Sequence, residues 1–142
     1  MKEKFEYLDH TADLEFISYG KTLNEVFANS ALAFFTATLN PGSVEIKESR
    51  EIKLSAPDLE TLMHDWLNEL LFLFEVEFRV FKEFKVEIKK LNENYELFAE
   101  CSGEELDLKR HTIDAEIKAV TYHNLSVEER NGLWEARVLC DI

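Results

Sequence analysis

The sequence predicts an α+β fold: a single-domain two-layer sandwich, with two main helices packed on a mainly antiparallel or mixed β-sheet. Three observations carry this expectation. Residues 23–38 and 59–75 repeat apolar side chains at helical spacing, and each stretch opens on a capping signal. Most of the remaining chain alternates apolar and polar residues in short runs. Breakers are scarce, with 4 Gly and 2 Pro against 11 Phe, which favours regular elements joined by short turns. The chain has 142 residues and shows no repeat, linker or low-complexity segment, so residues 1–142 read as one domain.

Each element has its own warrant. Lys4 to Tyr7 and Leu14 to Tyr19 read as short strands flanking the polar segment YLDHTADLEF, and Gly20 breaks the chain after them. Thr22 with Glu25 forms a capping box. Leu23, Val26, Phe27, Ala31, Leu32, Phe34 and Phe35 then make a helical stripe that ends at the NPG of residues 40–42. Strand material follows from Val44 to Ala56. Asp58 is the expected N-cap of a second helix, whose apolar stripe runs from Leu59 through Trp66 to Phe74. Its polar face, with His64, Asp65 and Glu69, lacks the second histidine of a zinc helix and reads as solvated. Phe84 to Lys89, Tyr95 to Cys101, Ile113 to His123, Leu125 to Glu129 and Leu133 to Asp141 read as strands.

Composition narrows the function. Sixteen basic residues against 29 acidic ones give a net charge of −13, the wrong sign for gripping a phosphate backbone. Any link to nucleic acid is expected to run through a partner protein or a small local patch, and the carboxylates favour cations. Cys101 and Cys140 sit apart in apolar runs and read as buried free thiols. The first residues lack an apolar signal-peptide core, and no run reaches the roughly 18 to 20 apolar residues of a membrane span. A soluble, cytoplasmic protein without a membrane role is expected.

Three clusters carry candidate chemistry. Asp9, His10 and Asp13 interrupt a β-like stretch, either as an Asx-type turn or as a site, since a histidine near carboxylates serves as base or metal ligand. Asp141 lies beside the main-chain carboxylate of Ile142; this pair is either a solvated chain end or part of a hard-cation site. Lys118 follows Glu116 in EIKAVTYH. In a regular strand Glu116, Lys118, Val120 and Tyr122 share one face, as a cross-strand ion pair or as a lysine set to engage an acidic or phosphate group. No phosphate-binding glycine loop, nucleophile elbow or zinc-type Cys/His pattern is present.

In order along the chain, FEYLDHTAD, YGKTLNEVFANSALAFF, LMHDWLNELLFLFE, EIKAVTYHNL and a penultimate aspartate make this sequence resemble the archease family over essentially its whole length. The resemblance implies a non-enzymatic activator of an RtcB-type tRNA-splicing RNA ligase. Such an activator promotes guanylylation of the ligase by GTP and so its multiple turnover, and meets tRNA only through the ligase. It also implies a divalent cation, most readily calcium, with Mg²⁺ or Mn²⁺ as alternatives. Carried over by position, the implied metal ligands are Asp13, Asp141 and Ile142, the implied activating lysine is Lys118, and Asp9 and His10 take supporting roles. The sequence departs from many members in having LEFISYG where a glycine follows the first motif sooner. Three carboxylates withdrawn together from water need a cation, and an all-oxygen set suits Ca²⁺, Mg²⁺ or Mn²⁺ better than Zn²⁺. Two other readings stand beside this one: a general chaperone or scaffold, and a metal-dependent hydrolase using Asp13, Asp141 and His10.

Overall fold

The computed structural model describes residues 3–9 and 13–142. In chain order the elements are β1 (Phe5–Leu8), β2 (Asp13–Gly20), α1 (Leu23–Thr38), a 3₁₀ turn (Pro41–Ser43), β3 (Glu48–Ala56), α2 (Leu59–Glu77), β4 (Arg79–Leu91), β5 (Asn94–Glu105), β6 (Ala119–Val120), β7 (Ser126–Arg130) and β8 (Leu133–Asp141). The α+β class holds, with both helices packed on antiparallel strands. The strands divide between two sheets. One runs β1-β2-β8-β6, with β7 also paired to β8, and the other runs β3-β5-β4.

Both helices start where their capping chemistry dictates. Thr22 Oγ1 accepts the Glu25 N–H at 3.1 Å while the Glu25 carboxylate accepts the Thr22 N–H at 3.2 Å, closing the capping box of α1. Asp58 accepts the Thr61 N–H at 2.7 Å, and this bond holds its carboxyl below the usual range. The far end of α2 is less ordinary. Phe78 caps it in the left-handed conformation, φ 56° and ψ 43°, where glycine is the usual residue. For a bulky side chain that backbone costs about 1–2 kcal/mol.

α1 packs across β2 in one sheet and β4 in the other, so it bridges the two. α2 lies over β3, β4 and β6. The Trp66 indole N–H donates to the Phe27 carbonyl at 3.0 Å and ties the helices together. Phe35 stacks on Phe84 and meets Phe81 edge-on, so an aromatic cluster fills the space beneath α1. Where β4 bulges between Phe81 and Glu83, the chain leans onto Gly103 of β5. A Cβ there would sit 1.9 Å from the Val80 carbonyl oxygen, so only glycine permits the approach.

Three expectations need correction. Ile113 to His123 is not a continuous strand; only Ala119–Val120 pairs. The reason is edge availability. β7 occupies β8 from Leu133 to Arg137, and β6 meets its far end, with Val120 opposite Cys140 and Ala119 opposite Asp141, the last residue of β8, so the residues before Ala119 have no β8 residue to pair with. The shared face assigned to Glu116, Lys118, Val120 and Tyr122 fails with it, because Val120 is buried while the other three are exposed. Nor is His64 solvated. Its Nε2 lies 3.0 Å from the Val120 carbonyl, its Nδ1 lies 3.1 Å from Asp65, and its ring stacks on Tyr122 at 4.1 Å. It fastens α2 to β6, which no helical periodicity reveals. Smaller differences lie at strand ends: β3 begins at Glu48, after the 3₁₀ turn, while β4 and β5 extend beyond the alternating cores that mark them in sequence.

Candidate functional site: an acidic tip where three segments meet

β2 begins and β8 ends at the same place. They run antiparallel with Asp13 opposite Asp141. Residues directly opposite in such a ladder project from the same face, with Cβ atoms about 4.5–5.5 Å apart. Like charges in that arrangement destabilise the pairing. The next residue is Ile142, which is exposed. On the other side of β8, Ala119 pairs with Asp141, and the Lys118 N–H donates to the Asp141 carbonyl at 2.8 Å. Three segments distant in sequence therefore converge: the start of β2, the end of β8 and the approach to β6. Lys118 and Asp141 are both exposed. Asp9 is exposed just beyond β1, on the same hairpin as Asp13. His10 lies outside the described residues.

The surroundings fix this tip firmly. Cys140 is buried behind Asp141, and burial together with that carboxylate pushes its thiol up to about 12, so it is no nucleophile. Glu15, two residues along β2, is buried and accepts from Arg137 Nε of β8 at 2.9 Å, locking the register that places Asp13 against Asp141. The Thr121 N–H and hydroxyl both donate to the Leu139 carbonyl, at 3.1 and 2.9 Å.

Among the described residues no three His, Cys, Asp or Glu side chains are gathered into a metal cage. A cation here would rest on Asp13, Asp141 and the main-chain carboxylate of Ile142. Two facing carboxylates on one strand pair, Asp141 exposed and Asp13 half-buried, fit a hard cation with several aqueous ligands. They do not fit a soft metal.

A second polar cluster escaped the sequence reading. Glu104, at the end of β5, is buried beside the segment that leads to Lys118. Its Oε2 accepts the Glu45 N–H at 2.7 Å and lies 3.0 Å from His111 Nε2. Its Oε1 accepts from Arg110 and lies 3.5 Å from Lys47 Nζ. The Asp107 N–H donates to His111 Nδ1 at 2.9 Å, so the proton of neutral His111 sits on Nε2 and points at Glu104. Burial alone would raise the Glu104 carboxyl; the bonds from Glu45, Arg110 and His111, with the Arg110 charge, outweigh it and hold the group at about 2. Strand alternation gave no warning. Leu97, Ala99, Cys101 and Gly103 already occupy the buried phase, and Glu104 follows out of phase. The cluster anchors the irregular segment between β5 and β6, which is also held by the Leu106 N–H to the Phe78 carbonyl at 2.6 Å and the Asp114 N–H to the Thr38 carbonyl at 2.7 Å.

The fold and the tip together define a small α+β protein with, among the described residues, two helices on two antiparallel sheets, and with the half-buried Asp13 set opposite the exposed Asp141 at the tip. No helix among the described residues is long and apolar enough to cross a membrane. A model of the archease protein family matches residues 5–142, and the chain belongs to that family. It is 48% identical over 141 residues to the protein archease of Methanosarcina acetivorans, covering 99% of this chain and 97% of that one. It is 39% identical to that of Pyrococcus abyssi, covering 99% of each. Among solved structures it superposes on Methanobacterium thermoautotrophicum protein 1598 with a TM-score of 0.89 at 40% identity, covering 98% of this chain and 99% of that one. A Thermotoga maritima archease, described as a possible chaperone, shares the fold at a TM-score of 0.58 and 19% identity, covering 100% of this chain and 98% of that one.

Proposed function

We propose that this protein is a non-enzymatic activator of an RtcB-type RNA ligase in the cytoplasm, raising the rate at which the ligase is guanylylated by GTP and so its turnover. The observation that carries this reading is the convergence of Asp13, Asp141 and Lys118 at one open tip, in a member of the archease family. Asp13, Asp141 and the Ile142 carboxylate hold a divalent cation, calcium by the hardness of the oxygen set, with Mg²⁺ or Mn²⁺ able to replace it. When bound, the cation neutralises carboxylates that otherwise repel one another and offers positive charge at the surface. Lys118 stands across β8 from this charge, tethered through its own backbone to Asp141, and engages an acidic or phosphate group of the partner complex. Asp9 and His10 take supporting roles beside these residues. With a net charge of −13 the protein meets tRNA only through the ligase.

The test is reconstituted RNA ligation with the cognate ligase, GTP and Mn²⁺, with and without this protein. Multiple turnover should appear only when it is added, and Asp13→Asn, Asp141→Asn and Lys118→Ala should each weaken the effect while the fold survives. Unchanged turnover on adding the wild-type protein refutes the reading. Amidating Ile142 should lower calcium affinity measured by calorimetry; unaltered affinity removes Ile142 from the ligand set.

A further inference from the structure

A cleft of about 480 Å³ opens directly beside Lys118. It lies between the end of α2 and the segment leading to β6, lined by Phe74, Phe78, Leu106, Leu108 and Ile117, with Glu75, Glu116 and Lys118 also on its walls. Two apolar side chains on it are poorly covered. Phe78 is 57% exposed and Leu108 is 74% exposed. Phe78 is doubly unfavourable for the isolated fold, since its ring faces water and its backbone is left-handed, where glycine or asparagine would sit without strain. Strain of this kind concentrates at contact sites. Glu75 and Glu116 make no ion pair within 4.0 Å among the described residues, and with Lys118 on the same walls the rim carries two carboxylates against one lysine.

We infer that this cleft is a docking site for an extended segment of the ligase, which inserts one large apolar side chain against Phe78 and Leu108 and sets an adjacent lysine or arginine against Glu75 and Glu116. The inference rests on the ligase reading above and adds a contact to it. Charge selects this occupant. The carboxylates outnumber Lys118 two to one on a chain of net charge −13, which favours a basic side chain over an RNA backbone. Position supports it too. Lys118 lines the cleft and its backbone N–H donates to Asp141 at the tip, so one partner covers both surfaces. The segment that carries Leu108 and Glu116 is the one anchored by Glu104 and His111, which presents the cleft wall already ordered.

Phe78→Gly separates docking from folding, because glycine relieves the left-handed backbone. Titrated calorimetrically against the cognate ligase, F78G should bind at least about tenfold more weakly. Its urea midpoint should stay the same or rise, and its calcium affinity should not change. Leu108→Ser, on an exposed turn in a different segment of the chain, should weaken binding in the same way, as should Glu116→Lys. Wild-type affinity in both F78G and L108S overturns the inference. Loss of tRNA affinity rather than ligase affinity in these variants overturns the protein occupant. A wild-type protein that does not bind the ligase overturns the ligase reading and the docking site with it, whereas a ligase that binds and responds equally to all variants overturns the docking site alone.

Discussion

Glu104→Gln removes one charge from a carboxylate only 3% exposed, and its cost follows from the atoms around it. Held at about 2 against an ordinary 4.5, the ionised carboxyl is favoured by at most about 3 kcal/mol, at 1.36 kcal/mol per pH unit. The Arg110 side chain is 37% exposed and Lys47 more so, and water screens both, which brings the figure to about 2 kcal/mol. Glutamine cannot restore the arrangement in either orientation. With its amide NH₂ in the Oε2 position it faces two donors, the Glu45 N–H and His111 Nε2–H. Turned over, it sets that NH₂ against Arg110 and Lys47. The folded carboxyl is depressed, so its stabilisation is fully present above the unfolded value and is lost as pH falls through about 2. Urea denaturation should therefore show E104Q weaker by about 2 kcal/mol at pH 7, with the gap shrinking to under about half near pH 3. A gap that is equal at the two pH values, or below about 0.5 kcal/mol at pH 7, refutes the account of this cluster.

Other substitutions probe other links. Gly103→Ala drives a Cβ into the Val80 carbonyl and the Phe81 backbone, which side-chain movement cannot relieve; a loss of about 2–3 kcal/mol should appear in urea denaturation. His64→Ala removes both ring-nitrogen contacts and the Tyr122 stack, and should cost about 1–2 kcal/mol in thermal denaturation, with faster hydrogen exchange in the short strand beside Lys118. Asp141→Asn relieves the like-charge pairing with Asp13. Metal-free stability should hold or rise by a few tenths of a kcal/mol, while calcium affinity falls about tenfold or more.

What the sequence by itself determined is what can be satisfied within a turn or two of chain. Thr22 with Glu25 and Asp58 with Thr61 are bonds between near neighbours, so both helices start where reading the residues places them. The apolar stripes of α1 and α2, and the alternation along β5 and β8, likewise need only local spacing to announce which side is buried. The α+β class follows from these. Tertiary structure decided whatever depends on which surface comes alongside. Ile113, Ala115 and Ile117 alternate like a strand, yet β8 ends at Asp141 opposite Ala119, so no β8 residue stands beside them. Glu104 and His111 carry no buried signature in sequence and are buried because the segment between β5 and β6 folds back over them. The candidate site shows both halves of this division. Asp13, Asp141 and Lys118 are visible as unusual residues, but only the β2–β8 register, set by Glu15 with Arg137 and by the apolar faces of both strands, brings carboxylates from the two ends of the chain opposite one another. A helix reports its own boundaries because its hydrogen bonds close within four residues, whereas a sheet edge is completed by a partner from anywhere along the chain.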